Sequence, residues 1–518
     1  MQDDLVLTID IGSQSIRAIL VDKKGNTVLF EQLKYDMPCL SSTVEGQAEQ
    51  EPDFYYDRLC EVTKALKAKA IQENKEGLYN NIIAVSLTCI RETVLCLDKD
   101  HKPLKNIIVW MDQRRAKGKP KTNIFKKIIF RIVGMTESVD MLYKGSFCNW
   151  IMENEPELWE QTDKYVMLSS YMNYKLTGQL KDGQANQVGH IPFDYRHRRW
   201  MKRGLSRCIA DIPMSKLVDL VPSPGIIGYI NAETSDRSGI PEGLPLITTA
   251  TDKACEALGL SVITPDKAAI SLGTASTIQF CSSHYFEPSP FLPSYPSAMP
   301  GFYSSEYQLY RGYWNLTWFK NNFCDKEIEI AKEKGVCVES LLDETLKETP
   351  VGSAGLVFSP HLSPGIDNPF SRGMFFGISD HHKKNHFYRA IIEGIAFELY
   401  HAMLRMQRRS GQTIKELYIA GGGSVNDSVV QICCDIFGLP IKRVQTHEAS
   451  AIGSSICAFM ALDKFSSYSE AVENMVHDRD VFIPNKENHK VYTQIYHNVY
   501  KHIEKSNTIF FKHLKKLD

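Results

Sequence analysis

The sequence lacks a marked excess of either charge. Its 518 residues include 60 Lys and Arg against 61 Asp and Glu, which gives a formal charge of -1. Without a basic field, binding to nucleic acid is not expected. The chain also lacks a run of about 18 apolar residues that could span a bilayer. Its first residues lack the basic and apolar regions of a signal peptide. We therefore expect a cytoplasmic protein with neither a nucleic acid nor a membrane as partner.

Patterns that bind metals or form disulfides are also scarce. None of the 13 cysteines belongs to a C-x-x-C pair, which disfavours structural zinc and a disulfide framework. Free, buried thiols in a reducing compartment are the better interpretation. A Walker phosphate loop, G-x-x-x-x-G-K-[ST], is likewise missing, so any nucleotide must be held by another device.

What the chain does contain is a short device that occurs twice. Residues 9–15 (Ile-Asp-Ile-Gly-Ser-Gln-Ser) and 270–276 (Ile-Ser-Leu-Gly-Thr-Ala-Ser) both resemble a strand that enters a Gly-Ser/Thr turn. Such a repeat predicts two domains of related topology, as does the length of the chain. Chance similarity of so short a stretch is the alternative. We place the boundary near 261–266, which gives domains 1–262 and 263–518.

Apolar spacing also predicts several individual elements. Strands are expected over 5–11 and 82–88, where apolar runs are short and bounded by turn residues. Helices are expected where apolar residues recur with helical spacing. These helices cover 53–73, 146–153, 163–176, 200–210 and 252–260.

The two turns have the chemistry of a phosphate-binding site. Glycine lets the backbone approach a ligand, while N–H groups and hydroxyls donate hydrogen bonds to phosphate oxygens. Asp10 is a single carboxylate in an apolar strand, which is costly unless it is paired. Facing a magnesium-bound phosphate would account for it. The alternative is that each turn is a plain hairpin and that backbone donors satisfy Asp10.

A third glycine-rich turn could hold the base and the ribose of a nucleotide. Gly421, Gly422 and Gly423 follow a predicted strand, and a helix begins at about Asn426 and ends at Gly438. Three glycines let a flat ring lie against the backbone. Asn426 can serve either as a helix cap or as a ligand contact.

Asp252 lies between an apolar strand and an Ala-rich helix. Its functional interpretation is a general base, which removes a proton from a substrate hydroxyl as that hydroxyl attacks a γ-phosphoryl group. A helix N-terminus also suits Asp structurally, because its carboxylate caps free N–H groups. A capping role is therefore the alternative.

Arg91, Glu92 and Trp110 form a second polar cluster. Arg91 and Glu92 end the apolar strand over 82–88, where a parallel sheet presents its ligand face. Their donors and acceptors suit vicinal hydroxyls, and Trp110 adds an apolar face of the kind found in polyol and sugar pockets. A surface ion pair beside a core tryptophan is the alternative.

Several segments resemble the FGGY family of carbohydrate kinases, and the resemblance runs over about residues 5–460. The order and spacing of the segments carry it, rather than any single one. The segments are "GQAEQEPDFYYD" (46–57), "WIMENEPELW" (150–159), "YKLTG" (174–178), "SRGMFFGIS" (371–379) and "RAIIEGIAFEL" (389–399). The resemblance implies an α/β fold of two RNase H-like, actin-like ATPase domains with a cleft between them. It also implies ATP and Mg²⁺ as cofactors.

The resemblance further implies a role for each matching position. The N-terminal domain would bind the substrate and the C-terminal domain the nucleotide. The implied phosphate contacts are Gly12, Ser13, Gln14, Ser15, Arg17, Gly273 and Thr274, the adenosine contacts Gly422 and Asn426, the metal-binding residue Asp10, the catalytic residue Asp252, and the substrate contacts Arg91, Glu92, Trp110, Tyr143, Asp252 and Lys253.

Two departures leave the substrate open. "RETVLCLD" is closest to the pattern of glycerol kinases, but this chain has Ile90 and Lys253 where those enzymes have Gln. It also lacks the Q-M-H-G of xylulose kinases. A glycerol-sized polyol and a four- to five-carbon sugar both fit, and the charge of Lys253 keeps a sugar acid open.

Three functions follow as hypotheses. The first is an ATP-dependent kinase of a small polyol or ketose, and the second a scaffold ATPase of the actin or chaperone kind. The third is a non-catalytic paralogue that binds a sugar. Asp252 and the cluster around Arg91 favour the kinase, because a scaffold ATPase needs no pocket of hydroxyl size. The sequence does not determine the oligomeric state, and a homodimer is one option that it leaves open.

Overall fold

The computed structural model describes residues 4–514 except 43, 133, 205, 291, 364 and 366–369. The described chain divides into two compact units. The first unit runs to Ile263 and includes Ser294–Ser304 and Glu448–His477, and the second includes Thr264–Pro293, Ser305–His447 and the chain from Asp478 onward. The division after Ile263 falls within 261–266. However, two segments of the first unit come from the second half of the chain. The expected domains, 1–262 and 263–518, are each continuous and do not include such an exchange.

The strands of the described chain are short and mostly buried. In chain order they are β1 (Leu5–Ile11), β2 (Ser15–Asp22), β3 (Thr27–Lys34), β4 (Glu49–Gln50), β5 (Ile82–Cys89), β6 (Val94–Leu97), β7 (Ile107–Ile108), β8 (Lys164–Met167), β9 (Lys181–Gly183), β10 (Phe193–Asp194), β11 (Arg199–Trp200), β12 (Asp219–Val221), β13 (Gly225–Tyr229), β14 (Pro245–Thr248), β15 (Lys267–Leu272), β16 (Ser276–Ser282), β17 (Tyr295–Pro296), β18 (Tyr303–Leu309), β19 (Val357–Ser359), β20 (Met374–Phe376), β21 (Glu416–Ala420), β22 (Ile441–Val444) and β23 (Asp478–Phe482).

The described α-helices vary in length from 6 to 27 residues. In chain order they are α1 (Phe54–Gln72), α2 (Ile124–Ile132), α3 (Thr136–Gly145), α4 (Phe147–Asn154), α5 (Pro156–Gln161), α6 (Leu168–Thr177), α7 (Ala232–Ser238), α8 (Asp252–Gly259), α9 (Trp314–Phe323), α10 (Asp325–Lys334), α11 (Val338–Glu344), α12 (Lys384–Ser410), α13 (Asp427–Phe437), α14 (Ala449–Ala461), α15 (Tyr468–Met475), α16 (Lys486–Ile495) and α17 (Lys501–Leu514).

The main sheets of the two units share one topology. In the first unit the order is β13-β14-β5-β1-β2-β3, with β14, β5 and β1 parallel and β2 and β13 antiparallel to their neighbours. The sheet of the second unit has the order β23-β22-β21-β15-β16-β18-β17, and its first six strands correspond to the six of the first sheet. There β22, β21 and β15 are parallel, and β16 and β23 are antiparallel to their neighbours. The duplicated turn thus opens a duplicated α/β fold, as the repeat predicts.

Two helices of the described chain show the limits of local spacing. The helix expected over 163–176 begins only at Leu168, because Lys164–Met167 pair with β6 as strand β8. The prediction of an α-helix over 200–210 is wrong for the described residues of that stretch. They contribute the end of strand β11 and a single turn at Ser206–Cys208.

Helix α14 packs on the first sheet and on α8 through small side chains. The Ser455 hydroxyl lies 2.7 Å from that of Thr8 in β1, and Ser454 donates to Ser86 in β5 at 3.0 Å. A Cβ atom on Gly453 would lie 1.9 Å from the Cys255 carbonyl oxygen of α8. Glycine is required there, because the two helix backbones are in direct contact. This contact fixes the helix that begins at Asp252.

The "RAIIEGIAFEL" segment lies in α12 and carries a buried ion pair of the second unit. Arg389 Nε donates to Glu393 Oε1 at 2.7 Å, and the hydroxyl of Tyr492 donates to the same oxygen at 2.7 Å. Glu393 also accepts the Ser353 hydroxyl at 2.9 Å. Burial of a charged pair is tolerated when its remaining hydrogen-bonding groups are satisfied. These motif residues therefore stabilise the fold.

Two further observations bear on the first expectations. Every cysteine is free, and all but Cys39 and Cys337 are buried, as the scarcity of disulfide patterns predicts. Within the residues that the structure describes, no helix combines the length and the apolar character that crossing a bilayer requires.

Candidate active site

Three of the predicted residues lie at one edge of the first sheet. Asp10 is the penultimate residue of β1, Arg91 follows β5, and Asp252 follows β14 as the first residue of α8. These strands are neighbours and parallel, so their carboxyl ends meet. This is the edge at which open α/β sheets bind ligands.

Asp10 is buried and paired with a cation. Its Oδ2 accepts a hydrogen bond from Arg17 Nη1 at 3.0 Å, and Arg17 Nε lies 3.1 Å from Glu448 Oε2. Burial raises the pKa of Asp10 to about 6 in spite of the Arg17 charge, and the charges of Asp252 and Glu448 add to the rise. The carboxylates of Asp10, Asp252 and Glu448 therefore concentrate negative charge near Arg17 at this edge of the sheet.

Asp252 lies within this field at the start of α8. Burial raises its pKa, while the charges of Arg91 and Lys253 lower it. Its Oδ1 accepts the backbone N–H of Lys253 at 2.8 Å, and the residue in the N-cap position is Thr251. A cap residue would instead accept from the second or third amide of the helix. The capping interpretation of Asp252 is therefore weakened, although one carboxylate oxygen does bind the backbone.

Glu92 has a partner that sequence reasoning missed. Its Oε1 pairs with the His190 ring and accepts the His190 backbone N–H. Burial alone would raise the pKa of Glu92, but the charge and hydrogen bonds of His190 lower it. Burial lowers the pKa of His190, but the charge and hydrogen bond of Glu92 together raise it by more, so the net shift of the His190 pKa is upward. Glu92 also has a left-handed backbone with φ of 51°, which is uncommon for a residue of this type.

Arg91 contacts a second residue that the sequence did not indicate. Its guanidinium carbon lies 5.8 Å from the ring centroid of Tyr295, which belongs to the Ser294–Ser304 segment of the first unit. A guanidinium at this distance from an aromatic ring is attracted to the ring face. Tyr295 therefore helps to orient Arg91 beside Asp252.

Trp110 joins the predicted substrate cluster to the first turn. Its indole Nε1 donates to the Ser13 hydroxyl at 2.8 Å. In the same turn, Gly12 N donates to Ser15 O at 3.0 Å, which closes the hairpin, and the Gln14 side chain is exposed. Ser13 and Gln14 are thus the side chains of this turn that remain accessible, while Ser15 is buried.

Tyr143 and Lys253 each contact a neighbouring carboxylate. The hydroxyl of Tyr143 donates to Glu153 Oε1 at 3.1 Å, and Glu153 also accepts the backbone N–H of Lys117. Lys253 Nζ lies 3.1 Å from Glu256 Oε2 on the next turn of α8. Lys253 directly follows Asp252 in the chain and is therefore close to the sheet edge. The hydrogen bond of Tyr143 to Glu153 does not connect Tyr143 to that edge.

In the second unit, the equivalent turn lies between β15 and β16. Gly273 O accepts the backbone N–H of Tyr313 at 3.0 Å, and the Thr274 side chain is exposed. The turn is therefore tied to the segment that precedes α9, and its hydroxyl is accessible for a ligand.

The three glycines after β21 have three different surroundings. Gly421 has φ of 88°, and a Cβ atom on it would lie 2.7 Å from Leu272 O. A Cβ atom on Gly423 would lie 2.4 Å from the Tyr313 ring. Nothing lies within 4 Å of the corresponding position on Gly422. Gly421 and Gly423 therefore permit close packing, and Gly422 faces open space beside the backbone.

Asn426 caps α13, which is one of the two roles that the sequence allows. Its side-chain oxygen accepts the backbone N–H groups of Ser428 and Val429 at 2.7 and 3.3 Å. Its amide nitrogen donates to Asp343 Oδ2 at 2.9 Å. Asp343 is also bound by the Tyr388 hydroxyl, so this start of the helix is rigidly held next to Gly422.

Both halves of the chain match models of one protein family. Residues 5–259 match the N-terminal domain of the FGGY family of carbohydrate kinases, and residues 268–462 match its C-terminal domain. A xylulose kinase of Lactococcus lactis is 27% identical over 97% of both chains. A gluconokinase of Bacillus licheniformis is 26% identical over 95% of this chain and 94% of the relative.

A solved structure shows the same fold over nearly the whole chain. A ligand-bound xylulose kinase from Lactobacillus acidophilus superimposes with a TM-score of 0.80 at 21% identity, covering 99% of this chain and 100% of the other. With family matches to both of its halves, this chain belongs to the FGGY family of carbohydrate kinases.

Proposed function

We propose that this chain transfers the γ-phosphoryl group of ATP to a hydroxyl of a small, neutral polyol or ketose, with Asp252 as the general base. The observation that carries the proposal is the meeting of Asp10, Arg91 and Asp252 at the ends of three adjacent parallel strands. Phosphoryl transfer to an alcohol uses one carboxylate near the phosphate, a second carboxylate near the attacking hydroxyl, and positive charge close to both. Asp10, Asp252 and Arg91 supply these three groups.

Asp252 would accept the proton of the attacking hydroxyl. A base must be ionised before the reaction and basic enough to take the proton. Burial provides the basicity by raising the pKa of Asp252, and the neighbouring charge of Arg91, which favours the ionised carboxylate, opposes the rise. After the transfer, the new phosphate ester carries the phosphoryl group and Asp252 holds the proton until solvent removes it.

The substrate hydroxyls would be held by Arg91, Glu92 and Trp110. The guanidinium donates hydrogen bonds, and the carboxylate accepts them. His190 fixes the orientation of Glu92, and the Trp110 ring supplies an apolar wall beside the first turn. Such a pocket matches the alternation of hydroxyls and C–H groups on a polyol.

Magnesium fits at Asp10. A cation would relieve the charge that Asp10, Asp252 and Glu448 concentrate at this edge. Among the described residues no group of three or more His, Cys, Asp or Glu could hold a metal alone. Mg²⁺ typically uses one or two carboxylates together with substrate phosphates, so Asp10 suffices as a protein ligand. When bound, the ion would neutralise charge on the transferring phosphoryl group.

Each unit carries features that suit a part of ATP. The N–H groups and hydroxyls of Ser13 and Thr274 suit phosphate oxygens. In the second unit, the open space beside Gly422 and the rigid start of α13 at Asn426 suit a base and ribose. The nucleotide assignment to the second unit rests on these features.

The charges favour a neutral substrate over a sugar acid. The ammonium group of Lys253 is met by Glu256, and the charge of Arg91 acts on Asp252, so both of these cations already have a carboxylate of the protein beside them. The curated relatives include both a xylulose kinase and a gluconokinase. Coupled ADP-release assays with glycerol, xylulose and gluconate would separate the two classes, and activity on gluconate alone would refute a neutral substrate.

Asp252→Asn tests the proposed base. Asparagine keeps the shape and can still accept the Lys253 N–H, but it cannot take up the proton. We expect kcat to fall by roughly 100- to 10,000-fold, with ATP affinity and melting temperature close to wild type. Asp325→Asn is the matched control, because Asp325 is also the first residue of an α-helix. A near-normal kcat of Asp252→Asn would exclude it as the base, and ADP release that needs no sugar would indicate an ATPase instead.

A further inference from the structure

Helix α2 exposes its apolar side chains to solvent. Its five exposed apolar residues are Ile124 (68%), Phe125 (73%), Ile128 (50%), Ile129 (51%) and Ile132 (78%). They are crowded into a helix of nine residues. Contiguous apolar surface of this kind is rare on soluble proteins and marks an interaction site.

These side chains form one face of the helix. At 3.6 residues per turn they fall within an arc of about 140°. Phe130 is the buried residue of α2, at 4% exposure, and it lies about opposite the centre of that arc. The helix is therefore anchored to the first unit by Phe130, and its apolar face points outward.

The surrounding segment is strongly basic. Positions 113–136 contain eight Lys and Arg and no Asp or Glu, in a chain whose formal charge is -1. Six of these basic side chains are exposed, namely Arg115, Lys117, Lys119, Lys121, Lys127 and Arg131. On the helix, Lys127 and Arg131 lie next to one edge of the apolar arc. Exposed apolar side chains bordered by cations are typical of helices that lie in a membrane interface.

We propose that α2 docks the protein on an anionic lipid surface. The five apolar side chains would enter the boundary between headgroups and acyl chains, and the basic residues would contact lipid phosphates. The lack of a spanning helix in the described chain does not bear on this, because an interfacial helix lies in the surface. The expectation of no membrane partner rested on the lack of spanning runs and of a signal peptide, and neither feature describes an interfacial helix.

The charge argues against the other occupants of this face. A second copy of the chain, docked by two-fold symmetry, would bring two basic segments together, which is unfavourable. A nucleic acid would match the charge but would leave the apolar side chains unpaired. An anionic membrane satisfies both properties of the face.

Co-sedimentation with vesicles tests the proposal on the full chain. We expect binding to vesicles of phosphatidylcholine with one third phosphatidylglycerol, and little binding to phosphatidylcholine alone. Phe125→Ser with Ile132→Ser should reduce the partition coefficient on the order of tenfold per residue. Lys127→Gln with Arg131→Gln should reduce it about fivefold per charge, and high salt should abolish that difference.

Val481→Ser with Ile483→Ser is the matched control, because these side chains are exposed to 52% and 64% on the second unit. It should bind vesicles as the wild type does, and every variant should keep kinase activity on a soluble sugar. The proposal is overturned if the wild type ignores anionic vesicles at low salt, or if the α2 variants bind them unchanged. It is also overturned if sedimentation equilibrium shows a dimer that the α2 variants convert to a monomer.

Discussion

Replacing Asp10 by asparagine should stabilise the protein while it impairs catalysis. Asp10 is buried at 5% exposure near the carboxyl end of the apolar strand β1. Its pKa is raised from 3.8 to about 6, which means that the ionised form is less stable in the folded state than in water. The substitution Asp10→Asn removes this charge and keeps the shape of the side chain. Arg17 keeps Glu448 as a partner at 3.1 Å.

The size and the sign follow from proton linkage. A rise of about two pKa units corresponds to ~3 kcal/mol. Because the folded state binds the Asp10 proton more tightly, the contribution of Asp10 to the stability of the wild type falls as the pH rises through 4 to 6. The variant lacks this loss. We therefore expect Asp10→Asn to be ~2 to 3 kcal/mol more stable above about pH 7 and nearly equal to wild type near pH 4.

Urea unfolding at pH 7.5 and at pH 4, with kinase assays at several magnesium concentrations, would check this prediction. Asp182→Asn is a contrasting control. Asp182 is also buried with a raised pKa, but its carboxylate accepts hydrogen bonds from Ser169, Ser170 and Gln187, so its replacement should destabilise the fold. If Asp10→Asn is less stable than wild type at pH 7.5, the desolvation argument is refuted. Undiminished activity at all magnesium concentrations would remove Asp10 from the metal site.

Three further substitutions probe the same edge of the sheet. Arg91→Ala should raise the KM for the sugar far more than the KM for ATP, and equal effects on both KM values would contradict the proposed pocket. It should also move the acidic limb of the pH profile of kcat to higher pH, because the Arg91 charge lowers the pKa of Asp252. His190→Gln should raise the sugar KM alone, since the His190 charge lowers the pKa of Glu92 and fixes its orientation; an unchanged sugar KM would leave the pair a structural role. Gly453→Ala would place a Cβ atom 1.9 Å from a carbonyl oxygen of α8. Thermal melting should therefore show a loss of about 1 to 3 kcal/mol in the free energy of unfolding, and kcat should fall. A melting temperature equal to wild type would show that α8 and α14 can separate freely.

The parts of the fold that depend on neighbouring residues could be predicted from the sequence. The strand expected over 5–11 is β1, and the helix expected over 252–260 is α8, one residue shorter. Asn426 caps α13, which is one of the two roles that the sequence left open. Apolar runs of buried parallel strands, turn glycines and caps are all local features, so one sequence suffices to locate them.

The partners of the site residues could not be predicted, because they come from distant parts of the chain. His190 meets Glu92 from 98 positions away, and Glu448 reaches Arg17 from the second half of the chain. A lone His before an apolar strand and a Glu before an Ala-rich helix have ordinary structural explanations. The orientation of α2 could not be predicted either, because amphipathic spacing does not determine which face of a helix meets the core.

The duplicated fold also shows why its two halves need not share their chemistry. The repeat aligns Asp10 in β1 with Ser271 in β15. By sheet order, β5 corresponds to β21 and β14 to β22. Arg91 follows β5 in the first unit, whereas the glycines around Gly422 follow β21 in the second. A flat, uncharged adenine ring favours open backbone, whereas proton and phosphoryl transfer require charges of both signs. The charged edge therefore suits the reacting groups and the glycine edge suits the base, which is why we propose the chemistry for the first unit and the recognition of adenosine for the second.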